Sequence, residues 1–376
     1  MRRPATSSLP GLTRQSILLR KKMDARGASA FTRVFDALLS AHDEAGVSVL
    51  TVKRRHFILA LATAAAWPRA ARAQQPAMPT IGVLLGGAPK PLQAALAGFR
   101  RGLAESGNVE GQNVTIEYRF AEGRLERLPA LTADLIRRQV GVLVVSSPDA
   151  ALAAKQTTDT IPIVFSIGGD PVQLGLIASL SRPGGNVTGI FQFTAALEAK
   201  RLGLLHEMVP KASTLAALVH ADYLAADSQV RDMRDAATRL GIQLNVLTIN
   251  SESDFDGAFA TLAQQRAGGL LVCASPFFYS RHERLVALAA QHSVPAIYEW
   301  REIAAAGGLM SYGTNLADAY QQAGAYAGRI LKGAKPADLP AVQSTKFEFV
   351  INLKTAKALG LDIPGNLLSF VDEVIE

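Results

Sequence analysis

Cysteine is nearly absent. The chain of 376 residues has one, Cys273, so no intrachain disulfide can form. Cys273 sits in Gly269-Leu270-Leu271-Val272-Cys273-Ala274, a buried-strand pattern, where an unpaired thiol packs rather than reacts. No Cys stands near residue 74, which removes a lipid attachment site. The apolar stretch from Phe57 to Trp67 is too short to anchor the chain across a bilayer. The usual catalytic signatures are missing: no G-x-S-x-G, no G-x-G-x-x-G, no P-loop and no H-E-x-x-H. Beyond the leader, His206, His220, His282 and His292 lie far apart, without metal-ligand spacing. These absences favour a protein that is not an enzyme, with no cofactor and no metal.

Excess positive charge is missing from most of the chain too. The formal net charge is +7, but residues 1–73 hold 13 Lys/Arg against 4 Asp/Glu, and residues 74–376 hold 26 against 28. The main body therefore lacks the basic stripe that a nucleic-acid partner requires. The surplus belongs to the leader. Residues 52–73, VKRRHFILALATAAAWPRAARA, have a basic start, an apolar stretch and a small-x-small site at Ala71-Arg72-Ala73, the form of a cleaved export signal. Arg54-Arg55-His56-Phe57-Ile58 has a twin-arginine pattern, with a Sec signal as the alternative. The product is expected in the periplasm, soluble and without a lipid anchor. Residues 1–51 are read as an over-long N-terminal extension ahead of a start at Val52 through an alternative initiation codon.

What is present is an alternation. Apolar residues make up 49% of the chain, and its length allows two domains. Short apolar runs predict strands over 80–85, 114–120, 140–145, 161–165 and 187–193, with helix-period segments over 91–106, 127–138, 150–157 and 172–180 between them. The pattern then repeats, with strands over 214–219, 243–249, 269–274 and 296–298 and helices over 196–209, 227–240, 255–265 and 280–292. A later strand and helix follow over 309–311 and 318–332, and then a last strand over 347–351 and a terminal helix. Strand and helix in turn, with short connections, mean an α/β fold of two doubly wound parallel-sheet lobes, split near 189–195.

In open α/β sheets, ligands bind beyond the carboxyl ends of the strands. The first lobe presents there Gly86 and Gly87, Ser146 and Ser147, and Gly168, Gly169 and Asp170, with Tyr312 and Gly313 after a later strand. The second presents His220, the group Pro276, Phe277 and Phe278, and the pair Tyr298 and Glu299. Ser146 and Ser147 at a helix start suit a carboxylate, with plain N-capping as the alternative. Asp170 and Glu299 suit an ammonium, although Asp170 can equally cap the segment after it. Aromatic residues at strand ends suit a flat or apolar group, unless Phe277 and Phe278 only cover the core.

Four segments carry a resemblance: Gly169-Asp170-Pro171-Val172, Pro183-Gly184-Gly185-Asn186-Val187-Thr188-Gly189, residues 304–313 (AAAGGLMSYG) and residues 347–361 (FEFVINLKTAKALGL). Their order and spacing resemble the solute-binding proteins of ABC transporters in the type I periplasmic-binding group, in the family that includes tryptophan- and tyrosine-binding proteins. The resemblance runs from about residue 52 to the C-terminus. It implies lobes joined by hinge strands, with 79–190 plus 304–335 in lobe I and 191–303 plus 336–376 in lobe II. It implies a monomer that closes on a small-molecule ligand in the cleft between its lobes. That ligand is expected to be an amino acid or related carboxylate, passed to an ABC permease in the inner membrane. A periplasmic sensor for a membrane receptor is the main alternative, and an exported enzyme a weaker one. A sugar-responsive transcription regulator of similar fold fails on charge.

Overall fold

Continuous apolar runs become strands buried on both faces, as parallel sheets require. The first set is β1 (Thr80–Leu85), β2 (Thr115–Phe120), β3 (Val142–Ser146), β4 (Ile163–Ile167) and β5 (Val187–Phe191). Between them run α1 (Gln93–Glu105), α2 (Leu128–Arg137) and α3 (Pro148–Thr157). The computed structural model describes residues 78–192 and 194–376. The expected extension, the export segment and Phe193 lie outside the described residues. No helix among the described residues is long and apolar enough to cross a membrane.

The second set is α4 (Thr194–Met208), β6 (Thr214–His220), α5 (Ala226–Leu240), β7 (Gln243–Ile249), α6 (Asp254–Gln264) and β8 (Leu270–Val272). It continues with α7 (Pro276–Ser280), α8 (His282–Gln291), β9 (Ala296–Tyr298), α9 (Arg301–Ala305) and β10 (Met310–Thr314). The C-terminal part holds α10 (Leu316–Leu331), β11 (Val342–Gln343), β12 (Phe347–Asn352), α11 (Leu353–Ala358), α12 (Gly365–Leu368) and β13 (Glu373–Ile375). One sheet has the order β11-β5-β4-β3-β1-β2, and the other β13-β12-β10-β9-β8-β6-β7. The described ladders are parallel except for β10 against β12.

Three passages join the lobes: after β5, at Asn315 between β10 and α10, and between β11 and β12. This shifts the boundaries expected from the sequence. Residues 304–314 go with the second sheet, because Leu309 and Met310 are buried against Phe349 and Ile351 in its core. Strand β11, expected in the second lobe, pairs with β5 in the first sheet. Helix α10 returns to the first lobe and crosses α1 at very short range. A Cβ at Gly98 would overlap the Ala317 carbonyl, and one at Gly324 the Phe99 carbonyl, so only glycine fits this crossing.

The segment over 172–180 is not the expected helix. Leu176 and Ile177 both donate their N–H to the Pro171 carbonyl, and Gly175 has φ +67°, so the backbone winds into successive turns. The helix expected over 280–292 is α8, and a separate short helix, α7, precedes it across Arg281. The expected terminal helix is replaced by two short helices and β13, which pairs with β12.

Candidate ligand-binding cleft

The carboxyl ends of the two sheets face each other across a cavity of about 550 Å³, counting space open to solvent at its mouth. Of the residues singled out in the sequence, the structure brings Gly87, Ser146, Ser147, Gly168, Pro276 and Glu299 to its wall.

On the first lobe, Ser146 ends β3 and accepts a hydrogen bond from the Gly86 N–H at 3.2 Å. Ser147 caps α3, its Oγ accepting from the Ala150 N–H at 3.3 Å. Its φ of 82° and ψ of 148° are a conformation that side chains rarely adopt. Such backbone strain costs on the order of 1–3 kcal/mol and gathers where function needs a fixed geometry. Ser166, in the middle of β4's register with Ser146, also faces the cavity, and its buried hydroxyl has no partner.

On the second lobe, Glu299 follows β9 and is 3% exposed. Neither carboxylate oxygen has a hydrogen-bond partner, and the side chain lines the cavity. Burial pushes its pKa up to about 8; the Arg201 guanidinium opposes the shift and the Glu198 carboxylate adds to it. Glu198 and Arg201 form a fully buried pair at 3.4 Å on α4. Glu198 also accepts from the Ala274 N–H at 3.0 Å and the Gln229 amide at 3.2 Å, which fixes the loop after β8 at the cavity wall. Gly313 packs so closely on the Glu299 carbonyl that no Cβ would fit, and it does not line the cavity itself.

Rings complete the wall. Tyr223, Tyr279, Trp300 and Tyr320 line it, with Leu92 and Leu316 between them. Tyr279 and Trp300 meet edge-to-face at 4.3 Å. The buried indole Nε1 of Trp300 has no partner. Tyr279 donates its hydroxyl to the Pro91 carbonyl of the other lobe at 2.8 Å. Further contacts bridge the lobes at the same place. The Ala88 N–H donates to Ser280 Oγ at 3.1 Å, Arg281 Nη1 donates to the Glu122 carbonyl at 3.3 Å, and Lys90 pairs with Glu283 at 2.7 Å.

The other singled-out residues do not line the cavity. Asp170 Oδ1 accepts from the Val172 and Gln173 N–H groups at 2.8 and 3.2 Å, so this carboxylate caps its own turn. Gly169 packs near Leu174, and Gly86 backs onto Pro276 at the lobe contact. His220 stacks on Phe277 at 4.5 Å, and both belong with Phe278 to an aromatic cluster around Phe255. Tyr298 is buried in the second lobe's core, and Tyr312 packs between Phe347 and Phe349. In two of these loops the residue at the wall stands next to, or a few places beyond, the one singled out, Tyr223 after His220 and Tyr279 after Phe278, and Trp300 joins Glu299 at the wall. Tyr320 had no local signal, because it reaches the cleft from a helix placed by the glycine crossing.

Residues 87–375 match the sequence profile of a family described as ABC transporter substrate binding protein. A tyrosine-binding protein of Clostridioides difficile (strain R20291) is 25% identical over 270 residues, which are 72% of this chain and 77% of the relative. An ABC domain in complex with L-Trp, from Streptococcus pneumonia, is 26% identical with a TM-score of 0.72. The alignment covers 79% of this chain and 99% of that one. A conserved domain protein of Vibrio cholerae has a TM-score of 0.73 at 24% identity, over 79% of this chain and 99% of its own. The two-lobed α/β architecture is that of type I periplasmic binding proteins, and the chain belongs to the ABC transporter substrate-binding protein family.

Proposed function

We propose that the protein is the solute-binding component of an ABC importer, that it acts in the periplasm after export, and that it captures an amino acid with an aromatic side chain. The Glu299 carboxyl carries this reading: it is buried, unpartnered and directed at a cavity walled by rings. A buried charge-bearing group without a partner is costly, and a ligand ammonium would supply the partner. Tyr223, Tyr279, Trp300 and Tyr320 would hold the side chain, and Ser166, Ser147 and the start of α3 would face the carboxylate. The relatives named for tyrosine and bound to L-Trp support this choice of ligand. The contacts between Ala88–Pro91 and the α7 region would form as the lobes close, and the three passages would act as the hinge.

Isothermal titration of the purified protein with single amino acids tests the proposal. Binding of L-Trp or L-Tyr in the micromolar range, about −8 kcal/mol, is expected. Binding of a sugar or nucleoside, with no response to any amino acid, would overturn it.

A further inference from the structure

The cavity is charged on one side only. Among the described residues that line it, Glu299 is the one ionisable acid, and no Lys or Arg is present. Arg201, whose guanidinium acts on Glu299, is paired with Glu198. A ligand carboxylate would find neutral donors: Ser166 Oγ, the Trp300 indole N–H and the first amides of α3. An acid also stands behind that wall, although it does not line the cavity. Asp149 stands in the first turn of α3, with its Oδ2 buried and unpartnered, and its charge acts on the cavity residue Tyr223. An acid in that turn already uses the attraction that a helix start offers an anion.

The charges can be counted. An ammonium beside ionised Glu299, together with the Glu198–Arg201 pair, balances these four charges, and Asp149 adds further negative charge. A carboxylate on the same ligand adds one negative charge with no cation to answer it. Four rings around the cavity favour a cation a second time, because an ammonium near an aromatic face is attracted by its quadrupole.

We infer that this site recognises its ligand by the amine and the ring, and that it takes aromatic primary amines without a carboxylate as well as aromatic amino acids. The inference rests on the amino-acid reading for the location of the ring and the amine. The carboxylate is tolerated at the neutral donors rather than required.

The test is a set of titrations at one pH with L-Tyr and L-Trp, the amines tyramine and tryptamine, and the acids 3-(4-hydroxyphenyl)propionate and indole-3-propionate. The amines should bind within about tenfold of the matching amino acid, and the acids should lose about a hundredfold or more, as loss of a buried charge partner does. Glu299→Gln should weaken the amines and the amino acids alike, with its unfolding midpoint in the absence of ligand showing that it folds. The acids, which cannot use the carboxylate, should change little in that variant. Amines that fail while the amino acids bind and the acids stay weak would overturn the inference and leave the amino-acid reading standing. Amines that bind when neither amino acid does would overturn the reading, and with it the claim that the carboxylate is tolerated.

Discussion

The two walls of the cleft differ in what they leave unbonded. On the first lobe, Ser146 and Ser147 already accept backbone N–H groups, and Ser166 is the exception. On the second, both Glu299 oxygens and the Trp300 Nε1 are buried without a partner. The first wall is a set of strand ends whose serines are mostly bonded already. The second keeps buried polar atoms without partners. On the proposed reading, positioning and recognition are divided between the lobes, and the difference can be tested by changing one wall at a time.

The largest expected effect is on stability against pH. Glu299 titrates near 8 in the folded protein and near 4.5 when unfolded. The folded state therefore keeps a proton that the unfolded state loses. The stability from this group is complete below about pH 4.5 and falls away as pH rises to about 8. Glu299→Gln has no such loss, so at pH 8.5 and without ligand it should be the more stable protein by up to about 5 kcal/mol. Asp149 on the first lobe, raised to about 6 by burial, has the same sign in a lower window, from about 3.8 to 6. Urea unfolding from pH 5 to 8.5 separates them. A Glu299→Gln variant that follows the parent through pH 6–8.5 would break the contrast between the walls.

The next effect concerns how the walls meet. Gly123 has φ +76°, and a Cβ there would lie 2.8 Å from Phe277 Cα and 2.7 Å from Arg281 Nη1, both on the opposite lobe. Gly123→Ala should hold the lobes apart and weaken ligand binding by roughly tenfold, through the lower population of the closed form. Gly111 has φ +79° and open space around its Cβ position. Gly111→Ala therefore carries a similar backbone cost without the obstruction, and its affinity should match the parent. Equal affinities for the two variants would mean that this contact does not control closure.

Much of this architecture is legible in the sequence, because buried parallel strands read as apolar runs and their ends can be counted. Counting strand ends in that way reaches Glu299, Ser146, Ser147 and Gly168, which line the cavity. Asp170 was misplaced because a carboxylate after Gly-Gly looks the same whether it faces a ligand or caps its own turn; only the bonds to Val172 and Gln173 decide. Phe277 and Phe278 were favoured over Tyr279 because three successive aromatics give no hint of which one faces the cleft. Tyr320 and the placement of β10 depend on how the tail crosses between lobes, and long-range pairing leaves no local trace.

The smallest effect separates a side chain from a backbone. Ser147 combines an N-cap with strained dihedrals. Ser147→Gly relieves the strain, worth about 1–3 kcal/mol, and loses a few tenths at the cap and somewhat more to unfolded-state entropy. It should gain about 1 kcal/mol. Ser147→Ala keeps the strain and loses the cap, so it should lose about 1 kcal/mol. The order Gly, Ser, Ala in unfolding midpoints would show that the first wall stores strain in its backbone, and identical midpoints for Gly and Ala would show that it does not. Ligand affinity then adds a second reading. If both variants bind as the parent does, the hydroxyl is structural and the first lobe meets the ligand through its main chain, which would make the division between a positioning wall and a recognising wall sharper still.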